Sequence, residues 1–119
     1  MIVSYLKSKI HRARVTYSEI DYEGSLGLDE ELMNAAGLKE FERVEVYNVT
    51  NGERFATYLI KEKPGSGRVG VYGAAAHKAR EGDIIIITSY CSLTEEQAEF
   101  HRPRVVLLDE NNRIKMVKS

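Results

Sequence analysis

The sequence predicts an all-β fold, in which short strands form a small β-barrel and only short helices lie between them. Short segments that alternate apolar and polar residues are the first sign, since half-buried strands have that period. The second is the close spacing of turn residues, as at Asn51-Gly52 and Gly82-Asp83. The third is the shortness of the helical segments, because a layered α/β fold needs longer crossover helices.

The first strand is expected over residues 9–17, where side chains alternate between two faces. One face should point into the barrel because most of its residues are apolar. Its members are Lys9, His11, Ala13, Val15 and Tyr17. Lys9 and His11 place two polar groups at the end of this inward face, as a site at the mouth of a barrel would.

The middle of the chain predicts a short helix and then a hairpin. Asp29 can act as the N-cap of a helix that ends at Gly37, a residue suited to the left-handed C-terminal position. Strands are expected at 44–49 and 54–60, with Asn51-Gly52 as the tight turn between them.

The second half of the chain predicts four more strands and one more helix. A run of small residues at 73–76 interrupts the strand pattern, and Thr94 and Gln97 fit a capping box for a second short helix. The strands are expected at 68–72, 84–88, 104–108 and 113–117.

The composition predicts one soluble domain, since a chain of 119 residues suits a single hydrophobic core. Cys91 is the only cysteine and has no partner within the chain, which fits a reducing, cytoplasmic setting. We expect no signal peptide and no membrane span. With 17 basic and 18 acidic residues the net charge is −1, so no global field attracts nucleic acid or membrane.

Several reaction classes have no support in the sequence. His11, His77 and His101 do not have the spacing of metal ligands. The glycines at 65, 67 and 70 have GxGxxG spacing but belong to turns, and the chain lacks a phosphate-binding loop followed by Lys-Ser or Lys-Thr and a GxSxG nucleophile motif. Metal, nucleotide and catalytic-triad chemistry are therefore not expected.

Gly24-Ser25 is the candidate site of chemistry, although a Gly-Ser pair is ordinarily a turn. Gly65-Ser66 is a second such pair in a turn rich in proline and glycine, so the dipeptide alone indicates nothing. The surrounding motifs distinguish the first pair. They read KxHR at 9–12, YEGS at 22–25, NVTNGxRFxTY at 48–58 and GAAAH at 73–77.

In order and spacing these motifs resemble those of the pyruvoyl-dependent aspartate 1-decarboxylases, and the similarity extends to about Pro103. The resemblance implies a double-psi β-barrel in one domain, residues 1–119. It also implies a proenzyme that cuts itself between Gly24 and Ser25 into a β chain, 1–24, and an α chain, 25–119. Ser25 would become a pyruvoyl cofactor, with no metal and no pyridoxal phosphate.

The resemblance assigns roles to residues near the cut. Thr57 matches the residue that faces the developing oxyanion on Gly24, Tyr22 belongs to the self-processing segment, and Tyr58 matches the proton donor. By alternation Tyr58 shares a strand face with Arg54, whereas Thr57 should point to the other face. A bulge or a twisted barrel edge would let both Thr57 and Tyr58 reach one site.

The implied reaction is decarboxylation of L-aspartate to β-alanine and carbon dioxide, through a Schiff base, for pantothenate and coenzyme A biosynthesis. Arg54 suits a substrate carboxylate because its donors form a fork, and Lys9 suits an anion as a point charge. Substrate-binding candidates are Lys9, His11, Arg54, Thr57, Gly73, Ala74 and Ala75. The family further implies a homotetramer with sites between subunits and, for some members, a separate maturation factor.

Tyr72 departs from the family pattern, which usually has asparagine immediately before the Gly-Ala-Ala segment. Either the tyrosine hydroxyl replaces the contacts of that amide, or self-cleavage is slower than is usual for the family.

Two other functions stay open. One is a nucleic-acid-binding β-barrel that uses the basic residues Lys7, Lys9, Arg12 and Arg14, although the near-neutral net charge weighs against it. The other is a pyruvoyl-dependent decarboxylase for a different acidic amino acid.

Overall fold

The computed structural model describes residues 1–119 as a mainly β fold, which confirms the predicted fold class. Nine strands are accompanied by two short α-helices, α1 (Glu30–Ala36) and α2 (Glu95–Ala98), and a 3-10 helix (Gly73–His77). The strands are β1 (Ile2–Arg14), β2 (Tyr17–Glu19), β3 (Ser25–Asp29), β4 (Arg43–Asn48), β5 (Arg54–Glu62), β6 (Val69–Tyr72), β7 (Ile84–Thr94), β8 (Arg104–Leu108) and β9 (Ile114–Lys118). Neither α-helix is long and apolar enough to span a membrane.

All nine strands belong to one mixed sheet in the order β2-β6-β3-β5-β4-β7-β1-β8-β9. Strands β1 and β2 are far apart in this order, yet only Val15 and Thr16 separate them in sequence. The N–H groups of Val15 and Thr16 donate to the carbonyls of Asp83 and Val69, at 2.9 and 2.8 Å. The sheet therefore curls back on itself as a barrel does, although no ladder of strand pairs closes it.

A row of buried side chains across neighbouring strands fills the curl. Ile10 on β1 lies opposite Ile87 on β7, which lies opposite Val46 on β4, and all three are fully buried. They belong to a core of 20 buried residues that also includes Leu32 and Met33 of α1. Burial of this apolar surface is the main force that holds the short strands together.

Strand β1 corrects the prediction that Lys9 and His11 share a face with Ala13. Arg12 has φ +68°, and the pairing of β1 with β7 shifts register between Ile10 and Ala13. The extra residue reverses the alternation, so Ile10 and Ala13 point to the core while Lys9 and His11 are only half-buried on the opposite face. Lys9 and His11 do lie on the same face as each other, as predicted.

Strand β3 was not predicted, and it places Ser25 at the beginning of a strand rather than in a turn. All five residues of β3 are buried, so the segment has no apolar-polar alternation to mark it. Two predicted strands are longer in the structure: β1 begins at Ile2, and β7 continues to Thr94.

The predicted turns and caps are confirmed. Strands β4 and β5 form the expected hairpin, and β8 pairs with β9 at the C-terminus. Gly37 ends α1 with φ 70°, and Thr94 and Gln97 form the capping box of α2. These features depend on local chemistry, which the sequence displays directly.

Asp29 joins the start of α1 to the turn at residues 65–67, and Asp29→Ala is expected to lower the free energy of unfolding by about 3 kcal/mol. Its buried carboxylate caps α1 by accepting from the N–H of Glu31 at 2.8 Å. It also accepts from the N–H groups of Gly65 and Gly67, at 2.9 and 2.8 Å. Urea unfolding in a Ser25→Ala background, which keeps the chain uncut, measures the loss. Asp29→Asn should lose less, and a loss below about 1 kcal/mol for Asp29→Ala would contradict this role.

Candidate active site

Ser25 lies where an exposed segment enters the buried sheet. Gly24 and the residues before it are exposed, whereas Ser25 is only 3% exposed and begins β3. Its partner across the antiparallel pair is Tyr72 on β6. The Gly24–Ser25 peptide bond is therefore accessible to solvent on the Gly24 side, while pairing within the sheet fixes the Ser25 side.

A cavity of about 420 Å³ lies next to this bond. Its lining residues are Gly24, Phe55, Ala56, Thr57, Tyr58, Ala74, Ala75 and Lys78. Five of the sequence-predicted site residues are among them: Gly24, Thr57, Tyr58, Ala74 and Ala75. The volume falls within the range of small-molecule sites, so the cavity can hold an amino acid.

The pairing of β5 explains how Thr57 and Tyr58 line one cavity from opposite faces of a strand. Along residues 54–58, β5 pairs with β4 on one side, while its pairing with β3 on the other side begins only at Leu59. The β3-side edge of residues 54–58 is therefore open, and the cavity occupies that side. No register shift occurs in β5, so the open edge, and not a bulge, brings both side chains to the site.

Gly73 presses directly against the segment that contains the predicted cut. It has φ +71°, and a Cβ atom at this position would lie 2.6 Å from the Cα of Gly24 and 2.8 Å from the carbonyl oxygen of Tyr22. Backbone meets backbone here, which only glycine allows. Ala74 and Ala75 follow Gly73 in the 3-10 helix and continue into the cavity wall.

The hydroxyl of Tyr72 is not available to Ser25, although the two residues are paired across β3 and β6. It donates to Glu62 at 2.5 Å and accepts from Arg68 at 3.2 Å. Burial, and then the hydrogen bond to Glu62, raise the pKa of Tyr72 above its ordinary value. The ring packs against Tyr22 with centroids 5.2 Å apart. The hydroxyl that could replace the contacts of the family's usual asparagine is thus engaged by Glu62 and Arg68.

Arg54 shares the outward face of β5 with Tyr58, as predicted, but it does not line the cavity. Its guanidinium stacks over the Tyr47 ring, 4.3 Å from the centroid. Tyr47 in turn hydrogen-bonds to the hydroxyl of Tyr90, with 2.7 Å between the oxygens. Arg54 is thus held on the outer surface of the sheet beside the site.

Lys9 and His11 lie away from the cavity of their own chain. Lys9 pairs with Thr88, Thr88 with Glu45, and Glu45 with Ala56 of the cavity wall. Three strand spacings, roughly 14 Å, thus separate Lys9 from Ala56. His11 pairs with Leu107 on β8, and its buried Nδ1 has no hydrogen-bond partner. Burial, followed by the charges of Lys9 and Arg12, lowers the pKa of His11.

Comparison of this sequence with known proteins identifies its family. A family model described as aspartate decarboxylase matches residues 1–115. The chain belongs to the aspartate decarboxylase family. An aspartate 1-decarboxylase of Bordetella pertussis is 53% identical over 113 residues, covering 95% of this chain and 93% of the relative. The aspartate 1-decarboxylase of Leptothrix cholodnii is 50% identical over 119 residues, covering all of this chain and 91% of the relative.

Within this family member, sequence reasoning missed three residues of the cavity wall: Phe55, Ala56 and Lys78. Phe55 and Ala56 lie between the predicted residues Arg54 and Thr57, so their proximity to the site was available from the motif. Lys78 lies two residues after the small-residue segment, but nothing in its local pattern indicates that it faces the cavity.

Proposed function

We propose that this aspartate decarboxylase family member cuts its own chain between Gly24 and Ser25 and then decarboxylates L-aspartate to β-alanine and carbon dioxide. The observation that carries the proposal is the position of the Gly24–Ser25 bond at the wall of the cavity that Thr57 and Tyr58 also line. One small site thus contains the bond to be cut and two hydroxyl groups. The product would supply β-alanine for pantothenate biosynthesis.

The residues present fit a pyruvoyl group made from Ser25. After a cut behind Gly24, the new chain would begin at Ser25, directly after Gly24 of the cavity wall. Leu26 and the rest of β3 are paired with β5 on one side and β6 on the other, which would hold that new end in place. The group needs no separate binding site, because it would remain covalently attached to β3.

The cut itself is chemistry of the chain's own residues. The Ser25 hydroxyl attacks the carbonyl carbon of Gly24, and the acyl group moves from nitrogen to oxygen. The hydroxyl of Thr57 donates to the oxygen that becomes negative during this attack. β-Elimination of the ester then releases residues 1–24 with a free carboxylate and leaves dehydroalanine at position 25. Hydrolysis of dehydroalanine consumes water, releases ammonia and leaves a pyruvoyl group.

Different residues around the cavity would have different roles in the decarboxylation reaction. Once formed at position 25, a pyruvoyl group would supply an electron sink for the electrons released as carbon dioxide leaves. Tyr58, which lines the cavity, would donate a proton to the carbon that loses the carboxylate. Phe55, Ala74 and Ala75 would give the substrate an apolar wall on one side of the cavity.

Lys9 and His11 support assembly into a homotetramer with sites between subunits. Both are half-buried on the face opposite the core, and neither reaches the cavity of its own chain. In an assembly, Lys9 of one subunit would complete the site of its neighbour by placing its positive charge beside the bound substrate. His11, whose Nδ1 lacks a partner within the chain, would line the same shared surface.

The basic N-terminal segment gives little support to nucleic-acid binding. Lys7 forms a salt bridge with Glu42 at 2.7 Å, and Arg14 donates to the carbonyl of Gly82 at 3.2 Å. These internal contacts account for half of the four basic residues.

The test is to incubate the purified protein with L-aspartate and to measure β-alanine and carbon dioxide. Equal amounts of both products are expected, whereas L-glutamate should be decarboxylated more slowly because it is longer. A protein that is cut after Gly24 but releases no β-alanine would overturn the proposed substrate. A protein that turns over L-glutamate faster would assign it to another acidic amino acid.

A further inference from the structure

Lys78 is the only charged residue that lines the cavity. The other lining groups are apolar, except for the hydroxyls of Thr57 and Tyr58. Arg54 lies over Tyr47 on the outer surface, and Lys9 is three strands away. A dicarboxylate bound beside Gly24 would therefore meet Lys78 as the only cation that its own chain presents there.

The backbone of Lys78 is fixed by three hydrogen bonds. Its N–H donates to the carbonyl of Ala75 at 2.9 Å. Its carbonyl accepts from the side-chain amides of Asn48 and Asn51, at 2.9 and 3.1 Å. The side chain thus starts from a rigid position at the end of the 3-10 helix, which limits the reach of the ammonium to the cavity and its rim.

The ammonium of Lys78 already holds a carboxylate. Its Nζ lies 2.6 Å from Oε2 of Glu53, and both side chains are 46% exposed. An ion pair with this exposure contributes little to stability, because water screens it and two flexible side chains must be ordered. If another carboxylate took the place of Glu53 beside Lys78, the free energy of unfolding would therefore change little.

From this geometry, and resting on the proposed function, we propose that Lys78 binds the side-chain carboxylate of the substrate in exchange for Glu53. The other carboxylate of L-aspartate leaves as carbon dioxide, and a cation on it would stabilise the reactant and oppose its departure. The side-chain carboxylate keeps its charge from substrate to product. Lys78 is therefore a specificity residue, and Glu53 competes with the substrate for it.

The two partners should have opposite effects on KM. Lys78→Gln removes the cation and is expected to raise KM for L-aspartate roughly tenfold, while kcat changes little because the contact is equal in reactant and transition state. Glu53→Gln removes the competitor and should lower KM. The double variant should resemble Lys78→Gln alone. Lys63→Gln, at an exposed lysine outside the cavity, is the matched control.

Binding of succinate, a dicarboxylate without an amine, gives a second measurement that does not depend on turnover. By calorimetry on the purified protein, Lys78→Gln should weaken succinate binding roughly tenfold and remove the preference for succinate over butyrate. Glu53→Gln should strengthen succinate binding.

Unchanged KM and unchanged succinate binding in Lys78→Gln would overturn the role of Lys78. A rise of KM in both Lys78→Gln and Glu53→Gln would also overturn it, because a purely structural salt bridge predicts that pattern. If the wild-type protein makes no β-alanine, the proposed function fails, while succinate binding still decides the role of Lys78.

Discussion

Ser25→Ala is expected to yield a single uncut chain that makes no β-alanine from L-aspartate. The Ser25 hydroxyl is both the nucleophile of the cut and the oxygen lost by elimination, so its removal stops cofactor formation at the first step. The residue begins a buried strand, and alanine fits there without added volume. Denaturing gel electrophoresis and a β-alanine assay measure the two losses.

Ser66→Ala is the matched control, because Gly65-Ser66 repeats the dipeptide elsewhere in the chain. Ser66 is exposed, and its hydroxyl only accepts from the N–H of Arg68 at 3.2 Å. This variant should cleave and turn over like the wild type. Cleavage of Ser25→Ala at the same site, or β-alanine production by the uncut variant, would refute the role of Ser25.

Gly73→Ala is expected to slow self-cleavage about a hundredfold, since a displacement of about 1 Å at a reacting group can have such an effect. The added Cβ would lie 2.6 Å from the Cα and 2.7 Å from the nitrogen of Gly24, and backbone atoms cannot yield as a flexible side chain can. The segment that carries the scissile bond must therefore move. Timed mass spectra of freshly purified protein give the rate.

Gly82→Ala separates this displacement from backbone strain. Gly82 also has positive φ, +92°, but an added Cβ would have no atom within 4 Å. It should share the strain of an alanine in the left-handed region while cleaving at the wild-type rate. Equal rates for Gly73→Ala and the wild type, or equal slowing in both variants, would show that the contact between Gly73 and Gly24 does not position the bond.

The parts of the fold that the sequence predicted well depend on local chemistry. The Asn51-Gly52 hairpin and the α1 cap at Asp29 follow from backbone preferences of a few residues, and both appear in the structure. The bulge at Arg12 could not be foreseen, because an arginine with positive φ is held there by pairing with two other strands. Strand β3 was missed because burial on both faces removes the alternating pattern.

The residues of the candidate site that the sequence predicted also belong to short local motifs, whereas the others depend on tertiary structure. Thr57, Tyr58, Ala74 and Ala75 converge on Gly24, as the motifs indicated. The distance of Lys9 from the cavity could not be read from a linear pattern, since it depends on the order of strands in the sheet. The position of Lys78 likewise depends on tertiary contacts, since its carbonyl accepts from Asn48 and Asn51 of the hairpin.

The intact mass of the wild-type protein under denaturing conditions tests the central claim most directly. We expect two fragments, 1–24 and 25–119, with the larger one lighter by the mass of ammonia than a chain beginning with serine. That difference would identify a pyruvoyl group at Ser25. A single full-length chain after long incubation, or a larger fragment that still begins with serine, would contradict the account.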